Sequence, residues 1–477
     1  MKKRLISSAV LFALLLCSTF VANAQTATAL DTTKPLNGTY TVSYDNGDFG
    51  SMADAIRILK RCGVSGPVQI LIDNGTYSQF NITGSIPGSS AKNLVTFRSA
   101  SGVRDSVRIY DTRAILLINT AHLRIESMCL DGIVVGVELD STLDDIVFHN
   151  CNITAPVSNN YIYRAVSYVG NATSLAKKVV DVRFIGNTIS GGYSNFYLNN
   201  SSNSTDFEDT SVAGFTIDSN VMEGAYTYGL YFYQTGKIRS FSHNTITNPN
   251  PSLSFYGVYS NGGKHWGRID GNRVHIKSKK DSYGFYFSAS HNAKSKQPAI
   301  ICNNEIILSD SNKKYGIYLY NPGGPWEVTN NSILTHSITT SYGLYMYTSY
   351  SDRKSVVCNN IFVNGKNNGC PVYIMSNTNS TYYQRDYNNY YSGGTFVAYI
   401  GSSKKSLQEV QVVDTLLDQH SVSIAPVWVD SSRTLDVRNK SSYVCLLQPG
   451  VNIDINGLQR SLRTEMGCYG KKTDSIK

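Results

Sequence analysis

"YGLYMY", Tyr342–Tyr347, is one of five near-copies of one hexapeptide. The others are "YGLYFY" (228–233), "YGVYSN" (256–261), "YGFYFS" (283–288) and "YGIYLY" (315–320). Aligned on their fourth residue they form the column Tyr231, Tyr259, Tyr286, Tyr318 and Tyr345, which extends to Tyr197 in "SNFYLN" and Tyr373 in "PVYIMS". Successive steps are 34, 28, 27, 32, 27 and 28 residues. Between the copies runs a second motif, hydrophobic–x–x–Asn–x–apolar: "FIGNTI", "IDSNVM", "FSHNTI", "IDGNRV", "ICNNEI", "VTNNSI" and "VCNNIF". Its asparagines are Asn187, Asn220, Asn244, Asn272, Asn304, Asn331 and Asn360. A repeat period of this size is the signature of a solenoid, and it overrules the several domains that length alone would suggest.

Each repeat reads as short strands. Leu344 and Met346 alternate with Gly343, Tyr345 and Tyr347, as Ile317 and Leu319 do with Tyr318 and Tyr320. Period two sends the aliphatic residues to one side and the tyrosines to the other. The motif asparagine sits between two apolar strand ends. Asparagine tolerates left-handed backbone, and stacked turns let each amide bond its equivalent one coil away. Short strands, a sharp turn and one coil per repeat predict an all-β parallel β-helix. In such a fold each coil buries its apolar side against its neighbours.

These repeats resemble those of right-handed parallel β-helix proteins of the pectin-lyase-like fold, which implies a right-handed parallel β-helix here. The C-terminal part, from "DYNNYYSGG" (386–394) to "MGCYG" (466–470), is similar to the closing segment of exported β-helix proteins common in Bacteroidetes. The resemblance spans most of residues 37–470. It implies a fold and leaves the activity open, because one fold hosts many functions.

The ends divide the chain. Lys2, Lys3 and Arg4, then "LISSAVLFALLLCSTFV", then "ANA" (22–24) read as a signal peptide over 1–24, with the mature chain starting at Gln25. Residues 25–62 form a lead-in and a capping helix. There Ser51 and Asp54 make a capping box, and Met52, Ala55, Ile56 and Leu59 form one apolar stripe. The coils occupy 63–400 and a closing segment 401–477. No later apolar run approaches the roughly 20 residues that span a bilayer. The expected location is therefore the periplasm, the outer cell surface or the medium.

The chain carries a formal net charge of +9, and loss of the three leader cations leaves 40 Lys+Arg against 34 Asp+Glu. That excess is too diffuse for a nucleic-acid surface. Eight cysteines remain after Cys17 is removed: 62, 129, 151, 302, 358, 370, 445 and 468. They show no metal-ligand spacing. They are either small buried residues or, in an oxidising compartment, disulfide partners, with Cys358–Cys370 and Cys445–Cys468 the pairs to test.

Catalytic signatures known from the fold were sought residue by residue. Gly-His-Gly is missing, and "RVHIK" (273–277) has the wrong spacing for Arg-x-Lys. Gln-Asp-Thr, Asp-Phe-x-Phe-Gly and Asp-Pro-His-Asp do not occur; "YGFYFSASHN" (283–292) has a histidine without the acids. The best pair of carboxylates is Asp218 and Asp270. Each stands two residues before its turn asparagine, two coils apart, with Ser242 between them. Two steps of ~4.8 Å separate them by about 10 Å, marginal for an inverting glycosidase. On the rim of a turn, solvation is the ordinary fate of such residues. The acidic run "TDFEDT" (205–210) has oxygen ligands for Ca²⁺ but no loop-forming glycine. His243 precedes a turn asparagine, and His265 and His291 are expected in loops. None of the three pairs with a serine or cysteine at a recognisable spacing.

The tyrosine column remains. Six steps at ~4.8 Å carry it over about 29 Å of one outer face. Neighbouring rings at that spacing attract one another, which explains the column without a ligand. The other reading is a binding face, in which phenols meet sugars and nearby cations favour an acidic chain. Those cations are Lys279 and Lys280 before Tyr283, Lys313 and Lys314 before Tyr315, and Arg353 and Lys354 after Tyr350. The function expected is a non-catalytic, monomeric, exported protein that binds a polysaccharide or cell-envelope glycan. Its ligand-binding set is Tyr197, Tyr231, Tyr259, Tyr286, Tyr318, Tyr345, Tyr373, Lys280 and Lys314. No metal, cofactor or nucleic acid is expected. The alternative is a uronan lyase or glycoside hydrolase using Asp218 and Asp270.

Overall fold

The computed structural model describes residues 31–470 except 79, 171–178, 201–213, 234–236, 249–251, 264, 291–296, 322, 348–353, 366–367 and 439. The expected signal peptide (1–24), the acidic run 205–210, His291 and Arg353 therefore lie outside the described residues.

One coil illustrates the rest. Strand His265–Asp270 bends at Gly271 and Asn272 into strand Arg273–Lys277, and Ser282–Ser288 closes the turn. Each strand pairs in parallel with its equivalents one coil before and one coil after. His265–Asp270 lies between Lys237–Ser242 and Ala299–Cys302; Arg273–Lys277 between Thr245–Asn248 and Glu305–Ser309; Ser282–Ser288 between Phe255–Asn261 and Lys314–Tyr320. Three parallel walls thus enclose one core in a parallel β-helix. Ile269, Val274, Phe285, Trp266 and Trp326 lie inside it, fully buried. Among the described residues no helix is long and apolar enough to cross a membrane.

The hexapeptide departs from simple alternation. In Ser341–Tyr347 both Gly343 and Leu344 are buried, so Tyr342 and Tyr345 both face out. Gly343 was expected on the tyrosine side. A Cβ on it would lie 2.7 Å from the Pro371 carbonyl oxygen and 3.2 Å from the Phe362 ring. At Gly229, Gly257, Gly284 and Gly316 the same atom would come within 2.4–2.6 Å of the next coil's glycine carbonyl. Only glycine fits where one coil presses this closely on the next.

The turn asparagines form a continuous buried ladder. The backbone N–H and Nδ2 of Asn304 both donate to Asn331 Oδ1, at 3.0 and 2.9 Å, and Asn331 does the same to Asn360. The pattern runs from Asn187 to Asn388; Cys151 N donates to it at one end, and Asn388 N donates to Ser421 Oγ at the other. The ladder residues are not the left-handed ones. Positive φ falls on the residue before each: Ser219 (60°), His243 (56°), Gly271 (66°), Asn303 (53°), Asn330 (55°) and Asn359 (62°). The preceding residue makes the sharp bend, which leaves the ladder side chain free to lie along the axis.

Both ends are covered. Helix Met52–Cys62 buries Met52, Ala55, Ile56, Ile58 and Leu59, and Ser51 Oγ accepts the Asp54 N–H at 3.1 Å. The Asp54 carboxylate pairs with Arg57. At the far end Val410 and Leu417 close the core, and Arg385 pairs with Asp418, both side chains fully buried. The closing segment then does something unexpected. Residues 422–470 turn back and lie along the flank as a strap built on two hairpins, Trp428–Asp430 with Thr434–Val437 and Val444–Leu446 with Arg463–Glu465. They reach as far as Arg268 and Arg273, which bond Gly450 O and Asn456 Oδ1.

The outer asparagines hold this strap. Asn303 Nδ2 donates to Ile453 O, Asn330 Nδ2 to Glu465 O and Asn359 Nδ2 to Leu446 O. In the doublets "NN" at 303–304, 330–331 and 359–360, the first residue docks the strap and the second serves the ladder. Coils beyond its reach carry Gly186, Ser219 or His243 at the first position.

The eight cysteines among the described residues are all free thiols. Cys358 ends a strand of one wall and Cys370 opens a strand of another, so that pair is not bridged. Cys445 and Cys468 belong to separate apolar clusters.

Candidate functional site

Tyr197, Tyr231, Tyr259, Tyr286, Tyr318, Tyr345 and Tyr373 occupy one register, and Tyr399 adds an eighth rung. Their rings stack face to face. Centroids are 4.7 Å apart for Tyr197–Tyr231, 5.0 Å for Tyr259–Tyr286, 4.9 Å for Tyr286–Tyr318 and 4.5 Å for Tyr345–Tyr373, with planes within 8° of parallel.

A second column, which the sequence reading passed over, runs beside the first. Tyr228, Tyr256, Tyr283, Tyr315 and Tyr342 are the first residues of the five hexapeptides, and they stack on one another in turn. Each also turns its edge to the rung of its own strand: Tyr256–Tyr259 at 86°, Tyr283–Tyr286 at 88° and Tyr315–Tyr318 at 86°. The signal was the repeated first tyrosine itself. It became interpretable only once the buried Gly-Leu pair placed both tyrosines outside. Tyr320 and Tyr347 stack as a partial third file.

This packing decides what the face can offer. Ring faces inside the columns are covered by neighbouring rings, so hydroxyls and ring edges are what remains for solvent. Burial, reinforced by adjacent tyrosines, pushes the phenols of Tyr256 and Tyr342 up to about 12 and raises those of Tyr231, Tyr283 and Tyr318 as well. The face is a neutral donor–acceptor surface at ordinary pH. At its N-terminal end the Arg164 guanidinium lies 3.6 Å over the Tyr197 ring, held by Tyr161 O and Ser167 Oγ.

The two lysines of the expected set separate. Lys280 is exposed, as are Lys279 and Lys313. Lys314 is fully buried, with Nζ donating to Lys280 O at 2.8 Å and Asn312 O at 3.0 Å. Burial pulls its amine down to about 8. It is the first residue of its strand, on the inward side of the alternation, and so points away from the tyrosine face.

Asp218 and Asp270 do share one column, with Ser242 between them. Neither is a freely solvated rim residue. The Asp218 carboxylate accepts Ser240 Oγ and Ser242 N, both at 2.8 Å, and burial raises its pKa. Asp270 is 8% exposed, paired with Arg268 Nε at 2.8 Å and bonded by Asn303 Nδ2. Both carboxylates are engaged in holding adjacent coils together. His265, expected in a loop, opens a strand and is half-buried; burial, then Lys237, lowers its pKa. Among the described residues no group of three His, Cys, Asp or Glu side chains is placed to hold a metal.

No protein-family model matches the chain, and no curated protein matches it.

Proposed function

We propose that this chain is an exported, non-catalytic β-helix of the pectin-lyase-like kind that binds an acidic polysaccharide along its tyrosine wall. The observation that carries this reading is the eight-rung register of half-buried phenols, whose hydroxyls repeat once per coil. At ~4.8 Å per coil, that repeat is similar to the advance of an extended sugar chain per residue. Because ring faces are taken up by the stack, contact is made through hydroxyls and ring edges. The exposed Lys279, Lys280 and Lys313 stand on the loops that lead into two successive tyrosine strands, where they supply the attraction for carboxylates. Lys314 has no part in it.

The test is retention of the full chain on immobilised polygalacturonate under a salt gradient. Wild type should be retained at low salt, and Lys280→Ala with Lys313→Ala should elute at lower salt. Elution of the wild type in the void at low salt contradicts the reading.

A further inference from the structure

The tyrosine column ends in its tightest contact. Tyr373 and Tyr399 lie with ring centroids 4.2 Å apart and planes 11° from parallel. The other steps of the column run from 4.5 to 5.3 Å. The two residues are registered partners on adjacent coils. Rungs such as Tyr286 are held from both sides by stacked neighbours and from the flank by two edge-on tyrosines. Tyr399 is held differently. Among the described residues Tyr373 is its one ring neighbour, and its strand, Ala398–Ile400, is three residues long before it doubles back onto Ser403–Lys404. This rung has the shortest gap to close and the least around it to resist closure.

We propose that Tyr373 and Tyr399 form a site of oxidative modification, a dityrosine cross-link that staples the last two coils of the tyrosine wall. The co-reactant is a one-electron oxidant. Each phenol gives one electron to it and its hydroxyl proton to water. In the resulting phenoxyl radicals the para carbon is blocked by the side chain, so reactivity falls on oxygen and the ortho carbons. One ortho carbon of each ring joins the other in a new C–C bond. The two ring hydrogens at those carbons then leave as protons while both oxygens are reprotonated. The balance is two electrons and two protons lost for one bond formed. A near-parallel, registered pair replaces the diffusional meeting of two radicals with a fixed one. The cross-link requires only this contact and is independent of glycan binding.

The experiment irradiates the dilute full chain with tris(bipyridyl)ruthenium(II) and persulfate. The expected product is a monomer lighter by two hydrogen atoms, with dityrosine fluorescence and one dominant cross-linked peptide pair containing Tyr373 and Tyr399. Tyr399→Phe and, separately, Tyr373→Phe should lose that pair and most of the fluorescence, while folding is checked by circular dichroism. The proposal is overturned by cross-links formed only between molecules, by no dityrosine at all, or by cross-links spread over Tyr231–Tyr345 at undiminished yield in either phenylalanine variant.

Discussion

The asparagine ladder and the tyrosine ladder are both built from one residue per coil in strict register, yet they differ in what they leave unused. In the first, Asn331 Oδ1 accepts two bonds from Asn304, and its Nδ2 serves Ile301 O, Thr329 O and Asn360 Oδ1. Nothing remains to offer a ligand. In the second, apolar faces are satisfied by neighbouring rings while hydroxyls and edges stay open to solvent. Repetition alone does not separate a structural feature from a functional one; spare bonding capacity at the surface does.

The largest effect is expected inside. Asn331→Ala leaves the buried Asn304 backbone N–H without its acceptor, removes one of the three acceptors of Asn304 Nδ2, and leaves two backbone carbonyls short of a bond. It should cost about 3–5 kcal/mol, read as a large fall in the midpoint of chemical unfolding. A loss below about 1 kcal/mol would mean the ladder is not saturated as described.

The strap comes next. Glu305 is fully buried and accepts His275 Nε2 at 2.8 Å, Tyr469 OH at 2.6 Å, Leu435 N at 2.7 Å and Thr434 Oγ1 at 3.2 Å. Burial alone would raise its pKa, but the hydrogen bonds outweigh burial and hold it below the ordinary 4.5. A carboxyl with a depressed folded pKa contributes stability above its unfolded pKa and loses it as pH falls through the folded value. Strap attachment should therefore weaken below about pH 4.5, seen as faster proteolysis within 422–470. Glu305→Gln should cost about 2 kcal/mol near neutral pH and remove most of that acid step.

On the tyrosine side the effects are smaller and split by substitution. Tyr286→Ala removes two stacked contacts and two edge contacts, for about 1–3 kcal/mol. At alkaline pH the raised phenols have the opposite sign to Glu305. Their folded pKa values lie above the unfolded 10, so stability falls as pH rises beyond 10. Phenolate absorbance should therefore appear together with unfolding; full titration near pH 10 with the fold intact would break the account of the columns.

Much of this was legible in the sequence. The period, the core residues, the Tyr197–Tyr373 register and the Asp218–Asp270 column follow from spacing, because a solenoid turns sequence position into coil position, and the capping helix within 25–62 follows from its Ser51 cap and its apolar stripe. Three things did not follow. Gly343 and Leu344 point the same way because a close contact between coils overrides strict alternation, and so the second tyrosine column was hidden. Lys314 next to Lys313 looked like a paired surface charge, but strand alternation sends one of the two inward. The doubled asparagines carried the route of the strap, yet that contact spans about 90–150 residues and has no local signature.

The most direct test of the central claim is the Tyr286→Phe/Tyr318→Phe double variant, with melting and polygalacturonate retention recorded on the same sample at matched salt. Phenylalanine keeps the stack and removes two hydroxyls. The account predicts a melt unchanged to within about 0.5 kcal/mol and earlier elution. Unchanged elution with an unchanged melt would contradict it, and the tyrosine wall would then be a ladder and nothing more.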